Sequence, residues 1–163
     1  MKADSIFILT GKIHSGKTTA VAEWSKTKKA GGILQPVING ERFLVDLSSE
    51  EKFKMNAENN EESISIGDYV FSASAFLRAR SVLNNSFYSN AEWLIADEFG
   101  KLEMNDTGLE PAVSELLLKV KNTGGKKLLI IIRDYLVNDF LKKENLSPAD
   151  VFIINSPEKL FYI

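Results

Sequence analysis

A chain of 163 residues, 44% hydrophobic and 26% charged, has the makeup of a globular protein with room for one core. A formal charge of −2 gives no general attraction to nucleic acid or to an anionic membrane. With no cysteine and with His14 as the only histidine, disulfides, thiolate chemistry, Cys-containing zinc sites and His-based metal clusters are excluded, as is a Ser-His-Asp triad built on any other position.

The N-terminal apolar stretch is too short to span a bilayer and lacks the layout of a signal peptide, so a cytoplasmic location is the default expectation. Buried strands are predicted at Ile6–Leu9, Trp93–Ala96, Leu128–Ile132 and Val151–Ile154, with a weaker one at Gly32–Leu34. Continuous apolar runs, without polar alternation, suit a parallel sheet covered on both faces.

Directly after the first run comes Gly11-Lys12-Ile13-His14-Ser15-Gly16-Lys17-Thr18, a complete G-x-x-x-x-G-K-[ST] pattern. Glycines let the backbone wrap so that successive N–H groups converge on phosphate oxygens. Lys17 supplies a mobile charge to the β- and γ-phosphates, and Thr18 offers its hydroxyl to Mg²⁺. Thr19 to Trp24 continues as a predicted helix, the strand–loop–helix context the motif requires. Residues Gly11 to Thr19 are therefore the expected nucleotide-phosphate site. His14 is expected to point outward, because the backbone already binds the phosphates; Lys12 either adds charge near them or sits in solvent.

From about residue 37 to 71 the strand–helix rhythm breaks. Asn39–Gly40 lies between β-prone runs and signals a hairpin. "KFKMN" and "DYVFS" read as further antiparallel strands, with "ENNEESIS" as an exposed connection. The segment is too short to bury a core of its own, so it is expected as a small β-rich arm inserted in a single domain spanning 1–163. Arg42, just after the hairpin turn, is expected to be exposed unless the arm folds over the nucleotide.

Helices follow. Phe76, Ala79, Val82 and Leu83 share one face, as do Leu109, Val113, Leu116, Leu117 and Val120. Pro111 near the start of the second helix loses only an N–H that has no helical partner, and Gly124–Gly125 ends it. A further helix includes Asp139 to Lys143 and stops near Ser147–Pro148. Strand alternating with helix predicts an α/β doubly wound domain, and with the Gly11–Thr18 loop the expected fold is a three-layer α/β/α P-loop NTPase with a mainly parallel central sheet.

Asp97 and Glu98 end the run "WLIA". A P-loop needs a carboxylate at the end of a neighbouring strand to hold Mg²⁺ beside Thr18, and Asp97 suits that role. Glu98 then falls at the carboxyl edge of the sheet, where a carboxylate can orient and deprotonate water for in-line attack on the γ-phosphate; the alternative is a solvated turn residue or a partner of a lysine. Lys101 either reaches the γ-phosphate or pairs with Glu98 or Glu103. Arg133, after "LLIII", is a candidate γ-phosphate sensor or a surface partner of Asp134. Glu103 reads as structural, and Arg78 and Arg80 as surface ion-pair residues.

"TGKIHSGKTT", "INGERFLVDL", "GDYVFSASAF" and above all "DEFGKLE" resemble the THEP1-type nucleoside-triphosphatases over nearly the whole chain. The resemblance implies a slow, Mg²⁺-dependent hydrolase of ATP, GTP and other nucleoside triphosphates, with a poorly known physiological partner. That family usually carries Pro-Gly in the loop where this chain has Ile13–Ser15, a change that leaves phosphate binding intact. It typically has Asn-Arg after the last strand, where Ile154 is here followed by Asn155-Ser156-Pro157, so a base or sensor contact of that arginine is not carried over. The abbreviated arm likewise keeps the family's substrate range from being transferred.

Three functions follow from these residues. Hydrolysis uses Thr18 and Asp97 for Mg²⁺, Lys17 and the loop for phosphates, and Glu98 to activate water; lacking an obvious arginine finger, it is expected to be slow. Phosphoryl transfer to a small acceptor or nucleoside uses the same groups, with the arm as a lid. A nucleotide-gated binding module would use slow hydrolysis to reset a contact with a protein partner.

Overall fold

The computed structural model describes residues 5–163. β1 (Ile6–Gly11) leads through the glycine-rich loop into α1 (Lys17–Ser25), and β2 (Ala30–Leu34) follows. The next segment forms β3 (Val37–Ile38), β4 (Glu41–Asp46), β5 (Lys52–Lys54), β6 (Ser63–Ile66) and β7 (Tyr69–Ser72). After these come α2 (Ala73–Phe87), β8 (Trp93–Phe99), α3 (Lys101–Met104) and α4 (Ala112–Thr123). β9 (Lys127–Arg133), α5 (Val137–Lys143) and β10 (Phe152–Ile154) complete the order, before a 3₁₀ segment at Pro157–Tyr162.

The main sheet runs β10-β1-β9-β8-β2-β4-β3, its first five strands parallel and β4 antiparallel to β2. Each apolar run serves two layers, because successive side chains on a strand point to opposite faces. Ile6, Ile8, Leu94, Leu128, Ile130 and Ile132 join a core with α2, α4 and α5. Phe7, Leu9, Trp93, Ile95, Leu129 and Ile131 face the other way, onto Val21 and Trp24 of α1 and Leu160 of the final turn. Trp24 meets Trp93 edge-on at 4.7 Å between ring centroids. Fully burying one such side chain contributes roughly 1.5–3 kcal/mol, and both faces are lined this way, so the three-layer α/β/α arrangement follows.

Gly32 shows how closely β2 lies on β8. Its φ is +114°, and a Cβ there would fall 2.1 Å from the Ile95 carbonyl oxygen. Any side chain would push apart the strands that carry the site.

The inserted segment is β-rich, and part of it joins the main sheet. β2 and β3 lie in one register along the same edge of β4, with Leu34 opposite Val45 and Val37 opposite Arg42. Asn39 and Gly40, both at positive φ, close this hairpin, so Asn-Gly does form the turn its chemistry favours. The hairpin extends the main sheet, and Leu44, Met55 and Phe71 are buried in the larger core. Only β6 and β7 form a separate two-stranded sheet. The stretch "SIS" of the expected connection is strand: Ser63–Ile66 pairs with Tyr69–Ser72, its serines exposed and its isoleucines half-buried. Among the described residues no helix is long and apolar enough to cross a membrane.

Candidate functional site

Register fixes the site at the carboxyl edge of the parallel strands, where ligands of open α/β sheets collect. Gly11 pairs with Arg133, which places the start of the loop beside the end of β9. Ile33 pairs with Ala96, so Gln35 follows β2 next to Asp97. Thr18 on α1, Asp97 and Glu98 on β8, and Arg133 on β9 thus meet from distant parts of the chain.

α1 starts from Gly16, which holds φ +82°, and no side chain caps its first turn. The first turn contains no acidic residue either, so the helix presents its positive end to the loop uncompensated, as anion binding requires. Lys17 is 7% exposed; its ammonium donates to the carbonyls of Lys12 (2.8 Å) and Gly11 (3.3 Å) and to Ser15 Oγ (3.3 Å). Ile13, His14, Ser15, Gly16, Lys17, Thr18 and Thr19 line a cavity of about 460 Å³. His14 is exposed, at φ 59°. Gly11 and Lys12 contribute the carbonyls that hold Lys17.

β8 runs further than its apolar stretch. It continues through both acids to Phe99, with a bulge between Asp97 and Phe99: Asp97 pairs with Ile131, Phe99 with Ile132, and Glu98 is the extra residue. The bond between the two acids is cis. Asp97 and Phe99 are fully buried, whereas the Glu98 side chain is 26% exposed. Adjacent carboxylates therefore occupy different environments.

Asp97 Oδ2 accepts hydrogen bonds from Thr18 Oγ1 at 2.8 Å and from the Gln35 N–H at 2.9 Å. Burial pushes its carboxyl from the usual 3.8 to about 7; the Glu98 charge adds to the rise, while the Gln35 and Thr18 hydrogen bonds oppose it. Asp97 Oδ1 is buried with no hydrogen-bond partner among the described residues. An oxygen left in this way beside a threonine hydroxyl is a donor set that suits a hard divalent cation such as Mg²⁺. A cation there would also favour the ionised carboxylate.

Glu98 Oε1 pairs with Arg133 Nε at 3.0 Å. Of the two alternatives for Arg133, a γ-phosphate sensor or a partner of Asp134, the Asp134 pair does not form, and Arg133 NH1 makes only a long 3.5 Å contact with the Tyr135 hydroxyl. Both members of the pair line the phosphate cavity, together with Gln35 and Arg42. Arg42 is half-buried and sits over the Tyr69 ring at 5.1 Å, so the β-rich segment does bring it inward.

Lys101 makes no ion pair among the described residues and lines a neighbouring cavity, not the phosphate one. Glu103 is structural in its contacts: its carboxylate accepts from the N–H groups of Gly100 (2.9 Å) and Leu109 (3.0 Å). Arg78 pairs with Glu51, but Arg80 donates to the Gly108 carbonyl at 2.7 Å instead of forming a surface ion pair. Sequence reasoning missed Gln35, whose contribution is a backbone N–H. The only signal was Pro36, which breaks the β2–β3 run at that point.

A model of the family described as NTPase matches residues 6–156. Two solved structures share the fold at identities too low to carry more than the fold. The crystal structure of THEP1 from the hyperthermophile Aquifex aeolicus superposes with a TM-score of 0.71 at 19% identity, covering 94% of this chain and 91% of that one. The solution structure of a human cancer-related nucleoside triphosphatase gives 0.66 at 20% identity, covering 96% and 93%. No curated protein matches the sequence.

Proposed function

The chain belongs to this NTPase family and is a nucleoside triphosphatase; from that premise we propose that it hydrolyses ATP or GTP to the diphosphate and phosphate with Mg²⁺, Glu98 activating the attacking water. The observation that carries this reading is the division between adjacent acids. Asp97 is buried against Thr18, while Glu98 faces the phosphate cavity.

In this reading the loop N–H groups and Lys17 bind the β- and γ-phosphates and oppose their negative charge. Thr18 and Asp97 would hold Mg²⁺, which when bound neutralises charge building on the phosphate oxygens. Glu98 accepts a proton from water as the water oxygen bonds to the γ-phosphorus. The bond from that phosphorus to the β–γ bridging oxygen breaks, and its electron pair leaves with the diphosphate. Arg133, 3.0 Å from Glu98 Oε1, holds that carboxylate aimed at the cavity. Arg133 is engaged in this pairing and Arg42 sits over the Tyr69 ring, so neither guanidinium is free to act as a finger on the γ-phosphate and turnover is slow: such a finger is worth about 10³–10⁵ in rate.

The test is phosphate release by Glu98→Gln. The amide keeps the shape but not the basicity, so kcat is expected to fall roughly 10²–10⁴-fold while nucleotide affinity persists. A variant as fast as the parent removes Glu98 from the mechanism.

A further inference from the structure

Gln35, Arg42, Glu98 and Arg133 line not one cavity but two. The second measures about 350 Å³, at the small end of the roughly 300–1,000 Å³ typical of ligand pockets. Its chemistry differs from that of the phosphate cavity. Met55, Phe71 and Phe76 supply buried apolar wall, while Asp68, Tyr69 and Lys101 are exposed residues of its lining. No glycine-rich loop enters it, and α2 contributes only the Phe76 ring, so it is not built for a polyphosphate.

Three features define what fits. Tyr69 and Phe71 lie 5.7 Å apart with their planes 8° apart, an aromatic wall over which the Arg42 guanidinium sits 5.1 Å from the Tyr69 ring centre. Glu98 and Arg133 neutralise one another, and Asp68 and Glu103 stand against the two remaining cations, Arg42 and Lys101. The cavity is therefore close to neutral and matched to an uncharged planar molecule. Finally, Glu98 belongs to both cavities, so a group bound in the second reaches the carboxylate assigned above to deprotonating the nucleophile.

We propose that this second cavity is a phosphoryl-acceptor site for an uncharged, planar, hydroxyl-bearing molecule of nucleoside size. The inference rests on the role of Glu98 as base. The acceptor oxygen bonds to the γ-phosphorus, the bond to the β–γ bridging oxygen breaks, and its electron pair leaves with the nucleoside diphosphate. The hydroxyl proton passes to Glu98 and then to solvent. Water in place of the hydroxyl gives hydrolysis, which is the outcome when no acceptor is bound.

The test follows the label of γ-labelled ATP with Mg²⁺ and millimolar adenosine, guanosine, cytidine or uridine. At least one nucleoside is expected to divert label saturably from inorganic phosphate into a nucleoside monophosphate. Tyr69→Ala should cut that transfer about tenfold, the scale of one lost stacking contact, while phosphate release without nucleoside is largely unchanged. Tyr69→Phe, which keeps the ring, should retain transfer. Phosphate release without transfer to any nucleoside overturns the acceptor site and leaves hydrolysis standing. Transfer undiminished in Tyr69→Ala overturns the assignment of this cavity. Neither product in the unmodified enzyme counts against the Glu98 base, and so against both readings.

Discussion

The two cavities share the Glu98–Arg133 pair, yet they are built from opposite materials. One is backbone and charge: a loop, the first turn of α1 and Lys17, with Asp97 buried behind Thr18. The other is side-chain surface, assembled from Met55, Phe71 and Phe76, which belong to the hydrophobic core. Chemistry in the first depends on groups whose loss leaves the fold standing. The walls of the second are part of what holds the protein together, so change there appears as stability before it appears as activity.

Phe76→Ala is the harshest way to break that contrast. Phe76 is fully buried on α2 and meets Phe71 edge-on at 5.9 Å. Truncation should cost about 3–5 kcal/mol in a denaturant titration. A loss below about 1 kcal/mol would mean the cavity collapses without penalty.

Lys17→Ala probes the opposite side. Removing one charged donor aimed at the reacting phosphate should lower kcat/KM roughly 10²–10³-fold with little change in Tm. A large drop in Tm would instead make the Lys17 contacts to Gly11 and Lys12 structural. Arg133→Ala sharpens the boundary between the cavities. It leaves Glu98 unpaired and less well aimed, a misplacement worth up to about 10²-fold in kcat, with a smaller effect on nucleotide affinity. An effect confined to affinity would return Arg133 to the role of a phosphate sensor.

The smallest effect concerns Glu103. Burial pushes its carboxyl from the usual 4.5 to about 7, against opposing hydrogen bonds from the Leu109 and Gly100 N–H groups. Because the folded value is raised, the unfolded chain releases this proton first as pH climbs. Its contribution to stability is full below about 4.5 and is lost towards about 7. Glu103→Gln does not titrate, so it should gain on the parent protein across that window in paired thermal melts. A gap that stays constant with pH would mean that the carboxylate is not perturbed in the fold.

What could be read from the residues follows the same division. The phosphate loop is a local pattern, and its helix and strand are its neighbours in the chain, so Lys17 and Thr18 were legible. Asp97 and Glu98 were legible because an apolar run stopping on acids is unusual. The parallel sheet followed from continuous apolar runs, and Asn39–Gly40 marked its turn through backbone chemistry alone. The second cavity was not legible: it joins Met55, Phe71 and Phe76 to Glu98 and Lys101 through strand pairings between distant segments. Ser63–Ile66 alternates polar and apolar residues, but the acidic, asparagine-rich stretch before it reads as loop. The Glu98–Arg133 pair depends on the register of β8 and β9 and on one bulged residue, which no local pattern specifies.

The central claim is that neighbouring carboxylates hold different jobs, and the Mg²⁺ dependence of single-turnover phosphate release tests it in Asp97→Asn beside Glu98→Gln. Asp97→Asn should move the Mg²⁺ requirement to higher concentration; Glu98→Gln should lower the saturated rate and leave that requirement where it was. Two variants that shift the Mg²⁺ requirement equally would contradict the division and make both acids part of one metal site.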